Sequence, residues 1–279
     1  MIPAAFEYFR PQTINEAVGL LSQKEDVKIL AGGHSLVPAM KFRLAQPKTI
    51  IDISRIADLS YIRETNSQIH IGAMTTHHLL ESSDLLRQKC PLLSETAANI
   101  GDVQVRNRGS IGGSLAHADP AADWPAAILA LEAELLISGP NNQRTIKATE
   151  FFVDIMQTAL QPNEILTEIR VPVTSKSVAY VKFAQKASGF AIAGVASWID
   201  KSKNSVRVGI TGIAAKPYRA TAVEQALEGR PLSADAIAQA ARKAVQGADP
   251  LNDMHASSAF RAHLAEVNTR RSLELANSR

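Results

Sequence analysis

The sequence predicts an α+β protein of two domains, residues 1–175 and 176–279. At 279 residues the chain is longer than one compact core usually needs. The polar, proline-containing piece "VPVTSKS" divides it into two differently patterned parts. Beyond that piece the pattern simplifies to three strand candidates followed by helices, which predicts a compact antiparallel sheet covered by helices.

The elements follow in chain order. "TINEAVGLLSQ" opens on Thr13 with Glu16 three residues later, a capping box, and places Ile14, Ala17, Val18, Leu20 and Leu21 at helical spacing; a helix is expected over about 14–23. "VKIL" reads as a short buried strand, "LVPAMKFRL" as a turn or two of helix, and "KTIIDIS" as another strand. The start is thus β-loop-α-β with a lone helix in front. "YIRETNSQIHIGAM" reads as a hairpin turning at "TNSQ". From Thr75 to about Ile100 the pattern is helical, broken at Pro91. A glycine-rich loop, a helix over "DWPAAILALEA", two strands either side of "SGPNNQ" and an extended "EILTEIRVP" complete the first part. In the second part "VAYVKFAQ", "AIAGVASWID" and "VRVGITGIA" are the strands. "TAVEQALEG", "SADAIAQAARKAVQGA" and "SAFRAHLAEVNTRRSLELA" are the helices. No repeat of fixed period is visible, which excludes solenoids.

Composition excludes several function classes. Apolar residues make up 46% and charged residues 20%, the balance of an ordinary globular protein. Thirty basic and twenty-seven acidic side chains are interleaved, and "VNTRRS" is too short and too poor in aromatics to be a nucleic-acid footprint. No apolar run approaches eighteen residues, and "MIPAAFEYFRPQ" lacks the regions of a signal peptide, so a cytoplasmic protein without membrane insertion is expected. A single cysteine, Cys90, rules out an internal disulfide and any iron–sulfur cluster held by this chain alone. Neither "THH" nor "HAD" has the spacing of a metal site, and no nucleophilic triad or carboxylate pair stands out.

Two paired glycines remain. Gly32-Gly33 follows "VKIL" and precedes Ser35; Gly112-Gly113 precedes Ser114. Glycine takes positive φ and lets backbone amides approach a ligand, and successive amides form a concave anion site. Neither segment is a G-x-G-x-x-G or P-loop motif. The residues alone leave two readings open: tight turns, or two halves of one anion-binding site.

"KILAGGHSLVPAMKFRLAQPKTIIDIS" together with "VQVRNRGSIGGSLAHADPAADWPAAILALEA" resembles the FAD-binding medium subunit of the molybdenum hydroxylases, the group of carbon monoxide dehydrogenase, quinoline and nicotine dehydrogenases and the flavin segment of xanthine dehydrogenase. The likeness runs past Pro172 and continues more weakly through "KFAQKASGFAIAGVASWI". It implies a fold of the vanillyl-alcohol oxidase and MurB-like type, with lobes of about 1–57 and 58–175, FAD between them and a third domain behind.

Carried onto this sequence, the resemblance implies that the backbone of Lys28, Ile29, Leu30, Ala31, Gly32, Gly33, His34, Ser35 and Leu36 wraps the pyrophosphate and adenosine side of FAD. The backbone of Ser110, Ile111, Gly112, Gly113 and Ser114 would close on it from the other side. His34 and His117 sit in these segments, with plain loop histidines as the alternative. Asp123 matches a position that bonds sugar or ribityl hydroxyls, its alternative being an N-cap to the following helix. Leu166 matches an apolar position near the flavin, with core packing as the alternative, and Lys182 a basic one, with an exposed strand lysine as the alternative. Phe190 stands where some relatives place an acidic residue and an aromatic, often tyrosine, beside the flavin ring; this sequence has Gly189 and Phe190, so packing could survive and a hydroxyl is missing. Arg106 and Arg108 are expected to be scaffold or subunit-interface residues.

The resemblance also implies a division of labour within a heterotrimer. Hydroxylation belongs to a molybdenum–pterin centre on a large subunit, and two [2Fe–2S] clusters, each needing four ligands, belong to a small one. This chain would pass electrons from those clusters to an external acceptor: NAD, a quinone, a cytochrome or oxygen. A self-contained MurB-like flavin reductase and a flavin-less anion-binding scaffold are the competing expectations.

Overall fold

A computed structural model describes residues 1–174 and 176–279; Ser175, at the expected domain boundary, lies outside them. The first sheet is parallel, in the order β1-β3-β2, built from β1 (Glu7–Phe9), β2 (Val27–Leu30) and β3 (Thr49–Asp52). The helix α1 (Ile14–Gln23) connects β1 to β2, and α2 (Leu36–Lys41) connects β2 to β3. The helix expected to stand alone in front is therefore preceded by a strand. β1 is three residues long, too short to show a period, and it is defined by its pairing with β3. Thr13 caps α1, its hydroxyl accepting from the Glu16 amide at 3.2 Å. The Glu16 carboxylate reaches back to the Gln12 amide at 2.7 Å, one residue beyond the standard box.

The second sheet is antiparallel, in the order β4-β5-β10-β6-β7. β4 (Ile62–Thr65) and β5 (Gln68–Gly72) form the expected hairpin, with Asn66 and Ser67 both at positive φ, as a two-residue turn requires. The helical run divides into α3 (His77–Ser82), α4 (Asp84–Lys89) and α5 (Pro91–Ala98). Ser83 adds a break to the one expected at Pro91: it leaves the helical conformation and caps α4 through the Leu86 amide. Next come α6 (Val103–Arg108), α7 (Ile111–His117) and α8 (Trp124–Ala130). Then follow β6 (Glu134–Ser138), β7 (Gln143–Lys147), α9 (Ala148–Phe151), β8 (Phe152–Asp154), β9 (Gln157–Thr158) and β10 (Ile165–Pro172). The last of these runs back between β5 and β6, and its first five residues are buried without alternation.

The third sheet is a meander of β11 (Val178–Ala184), β12 (Ala191–Asp200), β13 (Ser205–Thr211) and β14 (Tyr218–Arg219). Helices α10 (Thr221–Leu227), α11 (Ala234–Ala241) and α12 (Ser258–Asn277) share one core with it. The helix α8 packs on its other face, which explains why all seven of that helix's residues are buried. Contact there is close: a Cβ on Gly209 of β13 would stand 2.1 Å from the Ala126 carbonyl oxygen.

Candidate functional site

The chain leaves β2 at Leu30, turns through Ala31–Ser35 and enters α2. Gly33 has φ +87°, which disfavours any side chain there. Among the described residues, the backbone N–H groups of Gly32, Gly33, His34 and Ser35 donate no hydrogen bond. Consecutive unpaired amides in a partly exposed turn are available to donate to an anion. Gly32 is pressed against the second lobe: a Cβ on it would lie 2.3 Å from the Arg108 carbonyl oxygen and 2.8 Å from the Gly109 Cα.

The second glycine pair departs from its expectation. Gly112 and Gly113 lie in the first turn of α7 rather than in a loop. Ser110 caps that helix, its hydroxyl accepting from the Gly113 amide at 3.2 Å. Three further amides are engaged: Ile111 donates to the Thr75 carbonyl, Gly112 to that of Ala73 and Ser114 to that of Ser110. Gly112 is glycine because a Cβ would meet Ala73 at 2.5 Å; one on Gly113 would come within 3.1 Å of the Ala31 Cβ. The two glycine segments therefore touch, as one wall and one row of donors.

A buried polar cluster joins the first domain to the third sheet. Asp123 is 5% exposed and makes no cap to α8. Its carboxylate instead accepts from the Tyr180 hydroxyl at 2.5 Å, and the Lys182 ammonium stands 2.9 Å away. Lys182 also donates to the Asn99 carbonyl at 2.8 Å, and its side chain is 4% exposed rather than a free strand lysine. Burial pushes the Asp123 carboxyl up, against the pull of Lys182 and Tyr180. Burial and Asp123 together hold the Tyr180 hydroxyl well above its usual range.

Residues 4–174 match the family described as the FAD-binding domain in molybdopterin dehydrogenase, and residues 178–276 the carbon monoxide dehydrogenase flavoprotein C-terminal domain. The chain belongs to the FAD-binding medium subunits of the molybdenum hydroxylases. It is 41% identical to the carbon monoxide dehydrogenase medium chain of Hydrogenophaga pseudoflava, covering all of this chain and 99% of that one. It is 35% identical to the glyceraldehyde dehydrogenase medium chain of Sulfolobus acidocaldarius, covering 96% and 97%. The solved structure of carbon monoxide dehydrogenase from Hydrogenophaga pseudoflava that lacks the molybdenum-pyranopterin moiety superposes with a TM-score of 0.96 at 42% identity, covering 100% and 99%. An oxidoreductase subunit with an FAD-binding fold followed by an antiparallel-sheet domain is thereby shown.

The remaining expected residues of this medium subunit take up varied places. Lys28, Ile29 and Leu30 lie in β2, and Leu36 opens α2. His34 and His117 are exposed. Leu166 is 4% exposed and belongs to the core that contains Trp124 and Leu115. Phe190 is 46% exposed at the end of a loop stapled by Gln185, whose side-chain oxygen accepts from the Ala187 and Ser188 amides. That loop faces the first domain at Gly101, 3.8 Å from the place of a Gly189 Cβ. Arg106 is scaffold: it binds Glu81 at 2.8 Å and the Ile100 and Gly101 carbonyls. The side chain of Arg108 is exposed, while its carbonyl abuts Gly32.

Sequence reasoning missed His77, which is 4% exposed and accepts the Trp124 indole hydrogen on Nδ1 at 3.0 Å. The sequence signal was slight: His77 and His78 are adjacent at the start of a short helix, and only burial separates their roles.

Proposed function

We propose that this medium subunit holds FAD with its diphosphate on the amides of Gly32–Ser35, and serves in electron transfer between [2Fe–2S] clusters of a small partner subunit and an external acceptor. A large molybdopterin subunit would carry the substrate chemistry, in the cytoplasm. The observation that carries the reading is the row of unpaired amides seated against Arg108 and Gly109. The donor set fits a diphosphate in a partly closed cleft: neutral N–H groups and the Ser35 hydroxyl, with no need for several fixed cations. FAD, when bound, supplies redox chemistry in one- and two-electron steps. The chain's own part is to bind and orient the cofactor: the turn takes the diphosphate, α7 supplies the wall behind it, and Asp123 with Lys182, a buried pair, would meet sugar or ribityl hydroxyls. Phe190, which is exposed, would contribute apolar surface to the flavin. With one cysteine, Cys90, which is fully buried, the chain cannot hold the clusters itself.

The test is the absorption spectrum and the iron and molybdenum content of the protein purified gently with whatever accompanies it. Flavin near one per chain, with iron and molybdenum lost when this subunit is stripped free, is the expected result. Gly32→Ala should then abolish flavin retention while the third sheet stays folded, because its Cβ drives the turn away from Arg108. Full flavin occupancy in that variant would disprove the assignment of the turn. Activity of the isolated chain with a substrate of its own would favour a self-contained reductase.

A further inference from the structure

Gly109 is pinned from two sides. On one side Gly32 comes so near that a Cβ there would lie 2.8 Å from the Gly109 Cα. On the other, a Cβ on Gly109 itself would lie 2.6 Å from His77 Nε2. The backbone is tied at the same place: the His77 amide donates to the Gly109 carbonyl at 3.0 Å, and Thr76 pairs with Ser110 in an antiparallel bridge. The imidazole is thus the backing on which the glycine junction rests.

That backing is fixed in turn by Trp124, whose indole is fully buried and donates to His77 Nδ1. The rings are 5.8 Å apart at 47°. An acceptor at Nδ1 means the neutral ring carries its proton on Nε2. Burial, with His34 and Arg106 nearby, lowers His77 to about 4, so the ring stays neutral near pH 7. Trp124 directly follows Asp123, the residue that engages Tyr180 and Lys182 of the third sheet.

We propose that the His77–Trp124 pair is the positioning strut of the cofactor site, setting the place of the glycine junction relative to the Asp123–Lys182 cluster. Neither residue need touch the cofactor. The inference rests on the FAD reading above, and adds that flavin retention depends on a ring that never meets the flavin.

The experiment measures the rate of flavin release from the full chain. His77→Asn keeps an acceptor near the place of Nδ1 but withdraws the wedge from Gly109, and should speed release by about tenfold or more. Trp124→Phe keeps the ring and removes the donor, with a smaller increase in the same direction. The double variant should be no faster than the worse single, since both act through one strut. Gly109→Ala gives the sharper sign: harmful in the parent, where its Cβ meets Nε2, it should slow release again in the His77→Asn background by filling the vacated space.

If the parent holds flavin and His77→Asn releases it at the parental rate, the strut is wrong and the FAD reading stands. If release merely tracks the thermal midpoint of the flavin-free chains, with no reversal at Gly109, His77 is a packing residue and the proposal falls. A parent chain without flavin overturns the FAD reading, and the strut with it.

Discussion

His77 titrates where the unfolded chain does not. Its ordinary value is near 6.5, and burial brings it to about 4. Between those limits the unfolded state binds a proton that the folded state refuses, so stability rises with pH through that window. The contribution is present in full above about 6.5 and is lost as pH falls to about 4, a loss of about 3 kcal/mol from this one group. Urea unfolding at pH 7 and at pH 4.5, for the parent and for His77→Asn, isolates it; an equal pH dependence in the two would show the ring to be solvated. The two glycine pairs were visible in the sequence, because glycine doublets beside serine are visible in any sequence. What each pair does was not: the first leaves its amides unpaired, while in the second Gly113 donates to its own helix cap and Gly112 to the Ala73 carbonyl. Part of that difference lies in the tertiary hydrogen bond that Gly112 donates to the Ala73 carbonyl, which no local pattern contains.

Among elements, the periodic ones were legible and several short ones were not. α1 runs over the residues its apolar spacing marks, and the β4–β5 hairpin turns within "TNSQ". By contrast β1, α6, α9 and the β8–β9 pair went unread, each being six residues or fewer. The helix α11 stops at Ala241 although its alanine-rich period continues toward Ala248, and the chain leaves by turns instead. The helix α8 shows what tertiary contact adds. Its even burial reads as a core helix, but only the third sheet explains why β13 carries glycine opposite it. Gly209→Val should force α8 and β13 apart, because the obstacle is backbone rather than a movable side chain. A destabilisation of about 3 kcal/mol, at the upper end for overpacking, is expected by chemical denaturation. Retention of parental stability would mean that the two elements slide past one another without cost.

At the scale of the whole molecule, polar contacts fasten the third sheet to the first domain. The Tyr180 amide donates to Glu95, Arg219 and Arg207 bind Glu132, and Lys182 meets Asp123. Only the last is buried on both sides. Removing one partner of such a pair leaves a charge stranded in a poorly solvated place, typically at about 3–5 kcal/mol. Lys182→Met is therefore expected to lower stability by that order, and Lys182→Met with Asp123→Asn by less, as read by thermal unfolding of the full chain. A fully additive pair would show that the two do not interact. The overall order of strands and helices was legible in the sequence; the joining of the domains was not, since Lys182 looks like any exposed strand lysine until Asn99 and Asp123 are placed around it.

The position of β10 bears on how the molecule is made. The strands of the first sheet have all left the ribosome once Asp52 has emerged, but the second sheet has a gap between β5 and β6 until residues 165–172 arrive. The edge of β5, complete at Gly72, waits first, and the edge of β6, complete at Ser138, waits with it until Ile165 begins the strand that joins them. Such edges are what chaperones bind and what aggregation uses. A chain ending at Glu164 should be cut readily by trypsin between Ile62 and Lys147 while the segment from Glu7 to Leu59 resists. Equal resistance would mean that the two halves find each other without the strand between them.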